Sequence, residues 1–153
     1  MSTELSVLIM AALPISELRG AIPLGAIRGL PVVETYLLAV AGNLIPVIPL
    51  LLFLKPVSEK LSRFRITKRF FEWLYGRTKK RAEIVQKYEA IGLSLFVAIP
   101  LPITGAWTGC VAASLFRIKF KYALPAIICG VLLAGLIVTS LTFGGRHILG
   151  VGQ

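Results

Sequence analysis

Two ionisable residues stand where an apolar chain has least reason to hold them. In the run ALPISELRGAIPLGA, residues 12–26, Glu17 and Arg19 lie two apart between Pro14 and Pro23. A guanidinium offers a planar fork of donors to phosphate or another anion. A carboxylate in apolar surroundings can take up a proton, because desolvation disfavours its charged form; a nearby helix end and Arg19 oppose that effect. Ionisable groups at membrane depth point to function by default. The pair is expected to bind substrate or proton, and the other reading is an ion pair that pins a turn. Ser16 and, in PLPITGAWTG (100–109), Thr104 each follow a proline by two residues, Pro14 and Pro102. Both types favour helix N-caps, and proline obstructs the helix before them. Two helices starting there would aim free N–H groups and partial positive charge at a shared cavity.

The candidate substrate- and proton-binding residues are therefore Glu17, Arg19, Gly20, Ser16, Thr104, Gly105, Thr108 and Asn43. Pro14, Pro23, Gly25, Pro100, Pro102 and Gly109 are expected to break or pack the flanking helices. Asn43 either lines a wet path beside a turn or ties two helices together; Trp107 is expected to pack. Catalysis is not expected. The chain has no aspartate, one histidine, His147, and two cysteines, Cys110 and Cys129, without CxxC spacing. That leaves no Asp-based triad, no His-rich metal site and no expected cofactor.

The elements that would position these residues are membrane elements. Of the 153 residues, 56% are hydrophobic, and Thr35–Leu54 and Tyr122–Phe143 carry no charge over 20 and 22 residues. Each crosses a hydrocarbon core of about 30 Å at about 1.5 Å per residue. Residues 5–13 make only about 13 Å of helix before Pro14. A continuous helix over 5–27 would set two charges near the bilayer centre, at roughly 2.5–3.5 kcal/mol each. A re-entrant hairpin avoids this, since irregular backbone is tolerated where protein or water surrounds it. Residues 90–116 could be one kinked span, but two prolines and two glycines near their middle favour a second hairpin.

Order repeats as well as composition. Shifting the chain by 88 residues lays LPIS (13–16) on LPIT (101–104) and Gly42 on Gly130. The expected fold is an all-α integral membrane protein, an inverted repeat of re-entrant hairpin plus transmembrane helix, in one domain. Its parts are hairpin 5–30, span 34–54, basic segment 56–87, hairpin 90–116 and span 121–143.

Net charge is +10, yet its placement argues against nucleic acid. Residues 55–89 hold 11 Lys or Arg against 4 Glu, and Arg117, Lys119 and Lys121 follow the second hairpin. Placing both clusters on the cytoplasmic side obeys the positive-inside rule and sets the termini outside. Val57, Leu61, Phe64, Phe71 and Tyr75 give the basic segment an apolar helical face, suited to anionic lipid of the inner leaflet. The opening MSTELS, with Glu4 and no basic residue, is unlike a secretory leader.

ELRGAIPLGA (17–26) and PLPITGAWTG (100–109) resemble the paired motifs of the small multi-drug export protein family, and the similarity runs over essentially the whole chain. That family resembles, distantly, the DedA superfamily, and the resemblance implies a prokaryotic plasma-membrane protein with two opposed hairpins. It further implies movement of lipids such as polyprenyl-phosphate carriers, or proton-linked drug resistance. Glu17, Arg19 and Gly20 match the first motif; Pro102, Thr104, Gly105 and Gly109 match the second. Unlike that wider group, this chain has no charge at its second turn. The expected function is a transporter or flippase for an anionic or amphipathic molecule or lipid, with Glu17 coupling to protons. Two alternatives stand beside it: a four-span proton-coupled cation exporter, and a scaffold docking anionic lipid or a partner through residues 60–81. A unit so small encloses little volume, which is compatible with a homodimer.

Overall fold

The computed structural model describes residues 2–61, 82–101, 104–148 and 150. The described residues contain seven helices and no strand: α1 (Thr3–Ala12), α2 (Glu17–Ile27), α3 (Val32–Leu44), α4 (Val47–Leu61), α5 (Ala82–Ala98), α6 (Ala106–Leu115) and α7 (Phe120–Ile148). The central stretch of the basic segment, 62–81, and with it Phe64, Phe71 and Tyr75, lies outside the described residues. So does Pro102.

Breaks fall at residues 13–16, between α1 and α2, and, among the described residues between α5 and α6, at 99–101 and 104–105. Pro14 and Pro100 lie in them, and each withholds an N–H that a continuing helix would need. α1, α2 and α6 have 10, 11 and 10 residues. At about 15–17 Å each, none crosses a bilayer alone. Pro23 behaves differently from expectation. It sits inside α2, which continues to Ile27. Proline there removes one helical bond, the one to the Arg19 carbonyl, without ending the helix.

Val32–Pro56 and Phe120–Ile148 are long and apolar enough to cross a membrane, each with a mean hydropathy of 2.4. The first is not one smooth rod. Ile45 and Pro46 form a turn between α3 and α4. Pro46 and Pro49 withhold the bonds that the Gly42 and Ile45 carbonyls would otherwise receive, which explains the kink. Beyond it, α4 leaves α3 and packs on α6: the Ser114 hydroxyl donates to the Leu54 carbonyl at 2.9 Å. α7 absorbs Pro125 without a break.

α7 is the common wall. Ile127, Val131, Ala134 and Val138 recur at helical spacing on its buried face, while Leu132, Leu136 and Leu141 point outward. Glycines set the closest approaches. A Cβ on Gly42 would strike the Leu8 carbonyl of α1, and one on Gly130 would lie 2.7 Å from the Ser94 carbonyl of α5. Backbones packed this closely are the usual glue between helices in lipid.

The ends of α2 and α6 close alike, 88 residues apart. Leu30 N–H donates to Gly25 O at 3.0 Å and Gly29 N–H to Ala26 O at 3.2 Å. Ile118 N–H donates to Ala113 O at 2.9 Å and Arg117 N–H to Ser114 O at 3.2 Å. Both are Schellman closures, which require a left-handed residue just past the helix. Gly29 supplies φ 78 and Arg117 supplies φ 53.

These two ends lie far apart. The N-terminal end of α7, at Phe120 and Ala123, shares a cavity with Ala113 and Arg117 at the end of α6. Near the other end of α7, Arg146 donates to the Ala26 carbonyl in the last turn of α2. α7 has 29 residues, about 43 Å of rise. The two helical pairs therefore enter from opposite ends of α7, and their turns meet beside its middle.

Candidate functional site

The meeting point is built from complementary chain ends. α6 begins at Ala106, after Gly105, so its first N–H groups have no partner within the helix. The Glu17 carboxylate fills that need. Its Oε1 accepts from Trp107 N–H at 3.2 Å. Gly105 has extended backbone open to any residue, but a Cβ there would fall on the Glu17 carboxylate itself. What bars a side chain at 105 is the acid from the other turn.

Arg19 answers the opposite polarity. Its Nη1 donates to the Leu101 carbonyl and its Nη2 to the Thr104 carbonyl, the latter at 3.1 Å. Both are backbone acceptors of the stretch that follows α5; the Leu101 carbonyl also accepts from Thr104 N–H at 3.2 Å. The Trp107 indole closes the contact from the second turn, donating to the Ala12 carbonyl at 3.2 Å. Thus each charge of the first turn meets backbone dipoles of the second, and one side chain of the second returns a bond to the first.

Glu17 is 5% exposed and has φ 43. A left-handed conformation costs a residue with a Cβ about 1–2 kcal/mol. Strain of this kind persists only where surrounding contacts over-determine it, and the bonds to the α6 N-terminus do so here.

Glu17, Arg19, Asn43, Thr104, Gly105 and Pro100 line one small cavity, with Val97 and the α7 face completing it. Measured to the centre of a water molecule its free volume is about 10 Å³, room for one water. Asn43 is 1% exposed, and its Oδ1 has no hydrogen-bond partner among the described residues. A buried acceptor left unpaired costs free energy.

The other expected residues are placed nearby but act otherwise. Ser16 and Thr104 do not cap the following helices. The Ser16 hydroxyl donates back to Met10 O at 2.7 Å, and the Thr104 hydroxyl donates back to Ile99 O and accepts from Leu101 N–H at 3.1 Å. Both fasten the turn to the arm before it, because Ser16 is already helical at φ −92, ψ −44 and Gly105 takes the cap position of α6. Thr108 stays within α6, donating to Gly105 O at 3.2 Å. A Cβ on Gly20 would lie 2.6 Å from Ser16 Cβ; Gly25 and Gly109 admit Thr35 and Val97. These three are packing positions. Pro14 is exposed in its turn.

Sequence reasoning missed the carbonyls of Ala12, Leu101 and Thr104 and the α7 wall. Backbone partners leave no mark in side-chain type. The wall was detectable from the spacing of Ile127, Val131, Ala134 and Val138.

Residues 17–137 match the small multi-drug export protein family. This chain belongs to that family. The match opens at Glu17, just past the first turn, and takes in Arg19, the second turn and the α7 wall as far as Ala134, whereas α1 lies before it. With two apolar helices of spanning length, it marks a membrane protein. Comparison with curated proteins and with solved structures returned no match.

Proposed function

We propose that the protein is a transporter that passes a small amphipathic or anionic molecule, or a lipid headgroup, between the two turns. The family name supports export in general terms. The observation that carries the specific reading is the reciprocal latch: Glu17 on the N–H groups at the start of α6, Arg19 on the carbonyls of Leu101 and Thr104. In this reading the helical pairs are re-entrant hairpins from opposite faces, related as an inverted repeat, with their turns at half depth. A cavity with room for one water is a closed gate. Opening the latch frees a guanidinium fork and a set of backbone N–H groups, both suited to an anion. Protonation of Glu17 weakens its hold on α6, which couples opening to a proton.

A second reading draws on Asn43. Asn43, whose Oδ1 is unpartnered, and Glu17 line the same cavity; Glu17 and Arg19 are both engaged across the turns, so Asn43 is the group with an acceptor to spare. A spare acceptor favours a cation or a protonated amine, exchanged against protons. Substrate charge separates the readings.

The test is transport by protein reconstituted in proteoliposomes, with Glu17→Ala, Arg19→Ala and Asn43→Ala. Loss in Glu17→Ala and Arg19→Ala, with insertion and fold retained, supports the anion route. Loss in Glu17→Ala and Asn43→Ala, with Arg19→Ala active and protons competing with substrate, supports the cation route. Full transport by all three variants overturns both.

A further inference from the structure

A larger cavity lies away from the latch, where α4, α6 and the start of α7 converge. Its volume is about 340 Å³, within the range of small-molecule sites. Leu51, Ala113 and Ala123 line its depth, and Ile118 and Phe120 extend the apolar wall. Lys55, Arg117 and Lys119 also line it, and no acidic residue is among the described lining residues. One sign of charge beside an apolar pocket is the outline of an anionic amphiphile.

The Schellman closures add an independent observation. At the end of α2 the left-handed position is Gly29, which adopts φ 78 without penalty. The matching position after α6 is Arg117, at φ 53, and it lines the cavity. Glycine would close α6 more cheaply by roughly 1–2 kcal/mol. The fold tolerates that cost at the single position where the side chain delivers a guanidinium to the pocket. A cation near a helix C-terminus is favourable in itself, but Lys55 and Lys119 already stand beside this end of α6. Each of the three cations has other polar contacts in the protein; lysine and arginine carry three and five donors, so an added anion needs none of them idle.

We infer that this cavity is a binding site for an anionic phospholipid, its phosphate among Lys55, Arg117 and Lys119 and the start of an acyl chain against Leu51, Ala123 and Phe120. The site is separate from the latch. Ala113 is eight residues from Gly105 along α6, about 12 Å. It stands whether or not the turns carry transport.

Lipid binding to the purified full chain, followed by native mass spectrometry with phosphatidylglycerol and phosphatidylcholine, tests this. The wild type is expected to prefer phosphatidylglycerol. Arg117→Gly and Lys119→Gln are each expected to lower that preference roughly fivefold, in keeping with the worth of one basic side chain near anionic lipid. Arg117→Gly suits the left-handed backbone, so its melting temperature should hold or rise, which separates lost binding from lost fold. Ala123→Leu, which fills the pocket, should weaken phosphatidylglycerol while leaving all three cations. Lys87→Gln, a cation outside the lining, should change nothing. Equal binding of both lipids by the wild type, retained preference in Arg117→Gly and Lys119→Gln, or an equal loss in Lys87→Gln overturns the site. Stabilisation by inorganic phosphate alone that matches phosphatidylglycerol would overturn the amphiphile assignment.

Discussion

From the sequence, Glu17 and Arg19 are expected to bind substrate or proton, with an ion pair that pins a turn as the other reading. In the structure their work is divided: one charge meets N–H groups at a helix start, the other meets backbone carbonyls of the turn that precedes that helix. Each charge thus has an oriented partner without the second turn holding any charge of its own. Removing the buried Glu17 carboxylate leaves the N–H groups at the start of α6 without their partner, at about 1–3 kcal/mol. Glu17→Ala should therefore lose transport and also lower thermal stability in detergent by an amount in that range. Gly105→Ala sets a methyl group on the Glu17 carboxylate and must push the turns apart. It should destabilise by about 1–3 kcal/mol and impair transport although both charges remain. A Gly105→Ala protein with unchanged melting and transport would show that the latch is not needed closed.

At the scale of elements, glycine placement carries the packing. Gly42 and Gly130 hold equivalent places in the two halves, and each admits a carbonyl of a first arm, Leu8 or Ser94. Gly42→Ala and Gly130→Ala should each destabilise the protein by about 1–3 kcal/mol, read as a lower melting temperature; a large cost at one and none at the other would mean that the two arms pack differently. The helix breaks at Pro14 and Pro100 were legible, because a missing N–H acts on the residue's own helix whatever surrounds it. Pro23 was not, because one lost bond does not end a helix. The kink at Pro46 was hidden by hydropathy, which counts a bent span and a straight one alike. Ser16 takes the N-cap position of α2 without a side-chain cap bond, and Thr104 leaves the cap position of α6 to Gly105, for a related reason. A hydroxyl both donates and accepts, and only the turn geometry decides whether it looks forward or back. Glu17 and Arg19 stand out by residue type, whereas their partners are peptide groups that no residue code reveals.

At the scale of the molecule, the decisive relation is that α2 ends near the C-terminal end of α7 and α6 ends near its N-terminal end. Ile27 is 80% exposed at one of these places and Phe116 is 54% exposed at the other. With Cys110 and Cys129 replaced, Ile27→Cys and Phe116→Cys should react with a membrane-impermeant thiol reagent from opposite sides; labelling from the same side would mean that the helical pairs do not oppose each other. The latch has a further consequence, because its acid and base come from one half and its receptive chain ends from the other. Two copies of the first half would confront carboxylate with carboxylate, and two copies of the second would bring together only bare peptide termini. Each half completes a circuit that the other leaves open. Fragments 1–61 and 82–153, expressed together, should recover function only as an unlike couple.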